Sequence, residues 1–327
     1  MPVTIKDVAR AAGVSASTVS RALATPDLVR AGTRLRVQQA VAALDYHPNR
    51  AARGLITGRT GNLGLLVPDL ANPFFPGVVK GVQARAREFD YAVFLADTDE
   101  DATAEAGLVR NLSKQVDGLI LCSPRMGEDE VRALAGDTPI VLLNRRVGRM
   151  PSVTVNSADG LRHAIGHLTA LGHRRVAYVP GPKNSWSNRE RLRALRQVAA
   201  AAGVELIETG NVAPRFAGGV AAADQVLATG ATAVFGYNDL VAIGMLSRFA
   251  ARGVAVPGRI SVMGFDDIVL SEMVSPALTT LAQPKEQTGK AGVDLLLQLL
   301  DDPAHPVQRR ELESHLMVRD STGAASQ

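Results

Sequence analysis

A chain of 327 residues is long enough for two or three domains, and a hydrophobic content of 46% supplies a sizeable core. No run of 18 apolar residues occurs, which excludes a membrane-spanning helix, and the single cysteine, Cys122, excludes an internal disulfide framework. The net charge of +4 is unevenly placed: residues 1–60 carry nine Lys and Arg against three acids, whereas the remainder is acidic by two. A basic head on a nearly neutral body is the footprint of nucleic-acid binding by the head.

The start MPVTIKDVAR lacks an apolar signal core, so a cytoplasmic protein is expected. Thr4 to Arg21 predicts two short helices joined by a tight turn. Thr4 is a good N-cap, with Asp7 placed for a capping box. Ile5, Val8 and Ala9 share one helical face, with Ala12 near it, and Gly13 stands where a helix end takes positive φ. Ser15 offers a second N-cap, and Val19 with Leu23 gives the second helix an apolar face. The pattern predicts a helix-turn-helix. Its expected exposed face is Ala16, Ser17, Thr18, Ser20 and Arg21. Small side chains let a helix sit deep in the major groove, hydroxyls reach phosphates or base edges, and arginine suits guanine.

Pro26 opens a loop over residues 25–31. Thr33 to Leu44 predicts a third helix, with Leu35, Val37, Val41 and Leu44 closing a small core. Asn49 can cap a short helix over Arg50–Ile56. Interior Gly54 costs that helix about 1 kcal/mol relative to alanine, and it is too short to stand alone.

From Asn62 the pattern alternates. LGLLVPD, YAVFLAD, DGLILC and IVLLN read as strands, with helices over Phe74–Phe89, residues 101–115 and a short one marked by Val131 and Leu134. The plan then repeats. Helices are expected over Leu161–Leu171, Arg189–Ala202, Gly219–Leu227 and Leu240–Ala251, with strands RVAYVPG, AVFGY and ISVMGF. LTTLAQPK is expected to cross back to the first lobe, followed by a helix over Lys285–Leu300 and a last strand, HLMVRDS. Strands apolar at nearly every residue with helices between them imply parallel sheets covered on both faces.

VTIKDVARAAGVSASTVSRAL and LDYHPNRAARGLITGRT, followed in order by GLLVPDLANPFF, DGLILCSP, VLLNRR, LTALGHRRVAYVPGP, VFGYNDLVAIG, ISVMGFDD, LTTLAQPK and LMVRDST, resemble the lactose-repressor (LacI) family of transcription regulators over essentially the whole chain. The resemblance implies an N-terminal all-α helix-turn-helix domain (1–47), a hinge helix or linker (48–60) and a two-lobed α/β core of the periplasmic-binding-protein type (61–327). Lobe one is expected over about 61–157 and 285–320, and lobe two over about 158–284. It implies a hinge helix that forms on operator DNA beside its copy from a second subunit, with Leu55 as the minor-groove wedge. Contacts to double-stranded operator DNA are expected from Thr4, Ser15, Ala16, Ser17, Thr18, Ser20, Arg21, Thr33, Asn49, Arg50, Ala52 and Leu55. The short polar end STGAASQ carries no leucine heptads, so a homodimer is expected. The expected location is cytoplasmic and nucleoid-associated.

Ligands of open α/β sheets sit beyond the carboxyl ends of strands. The residues that follow them here include Asp69, Asn72, Phe74, Phe75, Asp97, Asn144, Arg145, Trp186, Arg189, Arg191, Tyr237, Asn238, Asp239, Asp266 and Asp267. Aromatic faces stack on sugar rings, and amide, carboxylate and guanidinium groups suit vicinal hydroxyls. The concentration of aromatics near strand ends selects Trp186 and Phe75, while core packing is the expected role of Phe74 and Phe265. The resemblance carries an effector-binding role onto Phe75, Asn144, Arg191, Asn238 and Asp266. Asn144 departs from the family's usual aspartate, which weakens a cationic ligand. Arg145 and Arg146 suit either an acidic sugar or the surface. A small effector, a sugar, is the expected class, the alternatives being a nucleobase, another metabolite or a protein partner.

His163 and His167 have a zinc-like i, i+4 spacing without a third ligand or HExxH glutamate, and no GxSxG elbow or phosphate loop occurs. No catalytic residue, metal or cofactor is expected, and the chain is not expected to be an enzyme.

Overall fold

The computed structural model describes residues 3–24, 26–46, 58–136, 138–302, 304 and 306–326. It forms two compact units, Met1–Gly61 and Asn62–Gln327. The expected hinge helix, with Asn49, Arg50, Ala52 and Leu55, lies outside the described residues.

The first unit holds α1 (Ile5–Ala12), α2 (Ala16–Ala24) and α3 (Ala31–Ala43), with a 3-10 turn at Pro26–Leu28 where a loop is expected. Asp7 Oδ2 accepts from the Thr4 backbone N–H at 3.0 Å and from its hydroxyl at 2.6 Å. These bonds hold the Asp7 carboxyl below its usual range. Gly13 takes φ +65 and ends α1. Ser15 Oγ accepts the Thr18 N–H at 3.1 Å, capping α2. Val8, Ala9, Ala12, Val19, Ala22, Val37, Ala40 and Tyr46 form the core. Two expectations change here. Ala16 is half-buried against this core, because the tight turn tips the first residue of α2 inward. Leu35 is 55% exposed, since the inward stripe of α3 runs through Val37 and Ala40.

The second unit holds two six-stranded sheets. The first contains β1 (Asn62–Val67), β2 (Ala92–Asp97), β3 (Gly118–Cys122), β4 (Ile140–Leu143), β5 (Ser152–Asn156) and β11 (Arg309–Glu313), in the order β11-β5-β4-β3-β1-β2, all parallel. The second contains β6 (Arg175–Val179), β7 (Glu205–Glu208), β8 (Ala233–Gly236), β9 (Ser261–Asp266), β10 (Thr279–Ala282) and β12 (His315–Met317), in the order β12-β10-β9-β8-β6-β7. Only β12 is antiparallel to its neighbour.

The covering helices are α4 (Phe74–Glu88), α5 (Ala102–Leu112), α6 (Glu128–Leu134), α7 (Ser157–Ala170), α8 (Trp186–Ala201), α9 (Phe216–Ala228), α10 (Asp239–Ala251), α11 (Leu270–Met273) and α12 (Lys285–Asp301). Helices α4 and α12 cross with backbones touching: a Cβ on Gly289 would stand 2.4 Å from the Val78 carbonyl oxygen.

The chain passes between lobes three times: at Asn156–Ser157, between β10 and α12, and through Ser314, the lone residue between β11 and β12. From sequence, HLMVRDS is expected in the first lobe, and LTTLAQPK as a crossover throughout. Instead β12 pairs with β10 in the second sheet, and TTLA is itself strand β10. The edges of the two sheets adjoin there, and a three-residue apolar pattern carries no mark of which edge it joins. The remaining C-terminal residues stay with the second lobe. Ser321 Oγ donates to the Val262 carbonyl at 2.6 Å, His173 Nε2 lies 3.0 Å from the Gly323 carbonyl oxygen, and Ala325 N donates to the Leu171 carbonyl at 2.8 Å.

Candidate functional site: a basic helix-turn-helix face and an interlobe cleft

On the head, α2 presents exposed Ser17 and Arg21 one turn apart, flanked by exposed Ser15 and partly exposed Thr18 and Ser20. Ser15 Oγ is 2.8 Å from both the Ser17 and Thr18 hydroxyls. Thr4 at the start of α1 is exposed, and Thr33 in α3 is half-buried. The arrangement offers hydroxyls and a guanidinium on a narrow helix face.

In the second unit the carboxyl ends of both sheets meet at a cleft. Six of the eight described non-glycine residues with positive φ lie there: Asp99, Glu100, Ser123, Asn144, Asp266 and Asp267. Such backbone is held only where its surroundings over-determine it, which is common at binding sites.

A chamber between the lobes is lined by Phe75, Asn144, Arg191, Asn238 and Asp266, five of the six residues expected there, together with Asn72, Phe74, Glu100, Ser123, Arg125, Ser187, Pro214 and Tyr237. Trp186 does not line it. The indole opens α8 and lines an adjoining chamber, beside Arg146, Glu190, Arg193 and Glu311, which shares Asn144, Ser187 and Arg191 with the first.

Each lobe contributes a buried arginine–carboxylate pair. In the second lobe, Arg191 Nη2 donates to Asp266 Oδ1 at 3.0 Å and Nη1 to the Tyr237 carbonyl at 2.7 Å. Its guanidinium lies 4.4 Å from the centre of the Phe265 ring and 5.2 Å from that of Tyr237. Asp266 Oδ1 also accepts from Gln283 Nε2 at 2.8 Å. Burial pushes the Asp266 carboxyl up, and the Arg191 charge opposes it. Burial works against the Arg191 charge, but Asp266 keeps its pKa above the ordinary value.

In the first lobe, Arg125 grips Glu100 with two parallel bonds, Nε to Oε2 at 2.6 Å and Nη2 to Oε1 at 2.7 Å, and donates to the Ser123 carbonyl at 3.0 Å. Beneath it, fully buried Glu105 accepts the backbone N–H groups of Arg125 and Met126. Burial raises the Glu105 carboxyl, opposed by those two bonds. Sequence reasoning missed Glu100 and Arg125. The strand-end rule, applied to β3 as it was to the other strands, would have found Arg125, three residues past Cys122.

The remaining candidates have structural work. Asn238 caps α10, accepting the Val241 N–H and donating to the Pro214 carbonyl, both at 2.9 Å. Asp97 accepts the N–H groups of Leu70 and Asp99. Asp239 is buried behind the cleft and accepts from Thr280, Ser271 and the Ile268 N–H. Arg145 is buried against the Pro124 carbonyl, and Arg146 bonds Thr154 and Glu311. His167 meets the Thr322 hydroxyl at 2.9 Å. Among the described residues no group of three or more His, Cys, Asp or Glu is placed to hold a metal, and no helix is long and apolar enough to cross a membrane.

A helix-turn-helix unit and a two-lobed α/β core with a cleft, joined in one chain, define the class of DNA-binding regulators. Residues 4–49 match the model of bacterial regulatory proteins of the lacI family, and residues 165–322 match that of the periplasmic binding protein-like domain. The HTH-type transcriptional repressor PurR of Photobacterium profundum is 33% identical over 327 residues, covering 97% of this chain and 98% of that protein. A Lac repressor dimer bound to operator and the anti-inducer ONPF superposes with a TM-score of 0.87 at 31% identity, covering 99% of this chain and all of that one. The transcriptional regulator CelR in complex with cellobiose gives a TM-score of 0.73 at 31% identity, covering 98% and 99%. The chain belongs to the LacI family of bacterial regulatory proteins and is a DNA-binding transcriptional repressor of that family.

Proposed function

We propose that this repressor binds a pseudo-palindromic operator as a homodimer, and that a sugar in the interlobe cleft sets its operator affinity. The observation that carries the ligand class is the presence of two arginine–carboxylate pairs, Arg125–Glu100 and Arg191–Asp266, on one chamber. Each pair offers donors and acceptors side by side, which matches the mixed demands of neighbouring hydroxyls. Phe75 supplies an apolar face. The solved CelR–cellobiose complex is a relative with a carbohydrate ligand.

On the DNA side, α2 is the recognition helix, with Ser17 and Arg21 toward the major groove, and Leu55 is the wedge in the minor groove. The effector changes the angle between the lobes, and that angle decides whether two linker segments can pair on DNA. Coupling of about 1–3 kcal/mol is typical of such linkage.

The test is fluorescence anisotropy on a selected palindromic site at fixed salt, with a panel of sugars and nucleobases, because phosphate contacts make affinity steeply salt-dependent. One sugar should move the affinity about tenfold, which is about 1.4 kcal/mol. A shift by a nucleobase alone would overturn the ligand class. Specific binding that no small molecule moves would favour a protein partner.

A further inference from the structure

We infer that Arg215 is a clasp that holds the two lobes shut. It stands just before α9 in the second lobe, and its guanidinium reaches into the first. Nε donates to Asp69 Oδ2 at 3.0 Å, and Nη2 pairs with Asp99. Asp69, at the end of β1, is buried, and its other oxygen accepts the Ala71 N–H at 2.8 Å.

The position gives this contact its leverage. All three crossovers run along the β5/β11 edge of the first sheet and the β10/β12 edge of the second. Asp69 and Asp99 follow β1 and β2, at the far edge of the first sheet, and Arg215 follows β7, the far edge strand of the second. Neighbouring strands lie about 4.8 Å apart, so the clasp sits about 15–20 Å from the pivots. A lobe rotation of about 10° would move it by about 3 Å, a whole hydrogen-bond length. The clasp is therefore made or broken as a unit rather than stretched.

The same turn that carries Asp99 also carries the chamber wall. Asp99 and Glu100 have φ of 50° and 63°, held by the bond from Asp99 N to Asp97 Oδ1 at 3.0 Å and from Glu100 N to the Pro68 carbonyl at 2.6 Å. Asp99 faces the opposite lobe and Glu100 holds Arg125 in the chamber. A ligand that draws on the Glu100–Arg125 pair acts on a turn whose preceding residue decides closure. The two halves of the clasp differ. Asp99 is 82% exposed and its pairing is screened by salt, whereas the buried Asp69 half resists screening.

The experiment is interlobe energy transfer in the ligand-free full chain, between dyes on cysteines placed at Lys114 and Ala202, with the labelled chain diluted into unlabelled chain. Both positions are exposed, and native Cys122 is buried with its thiol pushed up to about 12, so it stays unlabelled. Arg215→Gln and Asp69→Asn should lower the transfer efficiency, reporting an opened population. Asp99→Asn should lower it less, and its difference from the parent should vanish by about 1 M salt, where the screening length is about 3 Å. Arg196→Gln, which breaks a pair with Glu208 inside the second lobe, should leave it unchanged. Parental efficiency in Asp69→Asn and Asp99→Asn at every salt concentration would overturn the clasp, even if Arg215→Gln failed to fold. No sugar and no DNA enters the measurement, so its failure and the failure of the ligand class are separate results.

Discussion

Asp239 shows how one residue can set a pH response. Its carboxyl accepts from Thr280 Oγ1 at 2.5 Å, Ser271 Oγ at 2.8 Å and Ile268 N at 2.9 Å, tying the start of α10 to the turn after β9. Burial, with the nearby Asp266 charge, pushes its pKa up to about 7. In the unfolded chain it ionises near about 3.9. The folded state therefore holds the proton longer, and stability is lost as pH rises from about 4 to about 7. Asp239→Asn keeps an acceptor for the Ile268 and Ser271 bonds and can donate to the Thr280 hydroxyl. Its melting temperature should match the parent near pH 4 and exceed it by a growing margin up to about pH 7. Arg191→Ala should do the reverse at all neutral pH values. It leaves buried Asp266 with Gln283 alone, and breaking one side of such a pair costs about 3–5 kcal/mol. Urea unfolding checks the loss, and anisotropy should show the effector response gone with operator binding retained.

At the scale of elements, glycines mark where helices touch. Gly289→Ala gains about 1 kcal/mol of helix propensity, yet its Cβ would strike the Val78 carbonyl and the Val82 amide across the α4–α12 crossing. The helices must part, and overpacking of this kind costs about 1–3 kcal/mol, so the variant should be net destabilised in urea. Gly166→Ala in α7 meets nothing within 4 Å and should be stabilised instead. The legibility of these elements follows their burial. LGLLV, GLILC and IVLL are apolar throughout and read directly as central strands. ELIE and RRELE escape that reading because edge strands need few apolar residues, and SVTVN because it buries Ser152 and Thr154 on either side of Val153. The site is readable in part: the strand-end rule brings up fifteen residues, and the family resemblance singles out Phe75, Asn144, Arg191, Asn238 and Asp266 among them. Arg125, three residues past β3, falls under the same rule, but its pairing with Glu100 is not legible, since it joins positions on separate loops that only the sheet order brings together. Ala16 misleads because a helix face read from sequence ignores the angle at which the turn delivers it.

For the whole molecule, the second lobe's stability rests partly on two histidines that grip the C-terminal residues. His173 bonds Thr232, Ser261 and the Gly323 carbonyl, and burial lowers its pKa, as it does that of His167. The unfolded chain takes up these protons first, near about pH 6.5. Stability should therefore fall as pH drops through that value, and remain flat above it. The trend is cleanest in the Asp239→Asn background, where the opposing carboxyl is gone, and melting temperatures from about pH 7.5 to pH 5.5 would record it.

The crossover through Ser314 also bears on how the chain is made. Lobe one is incomplete without α12 and β11, and lobe two without β12 and the residues up to Ala325. Both lobes thus borrow pieces from residues 309–325, which leave the ribosome after all of residues 62–308. During synthesis only the small helical head has all its parts, and a nascent chain halted before residue 309 should protect neither lobe from proteolysis, however long its tether.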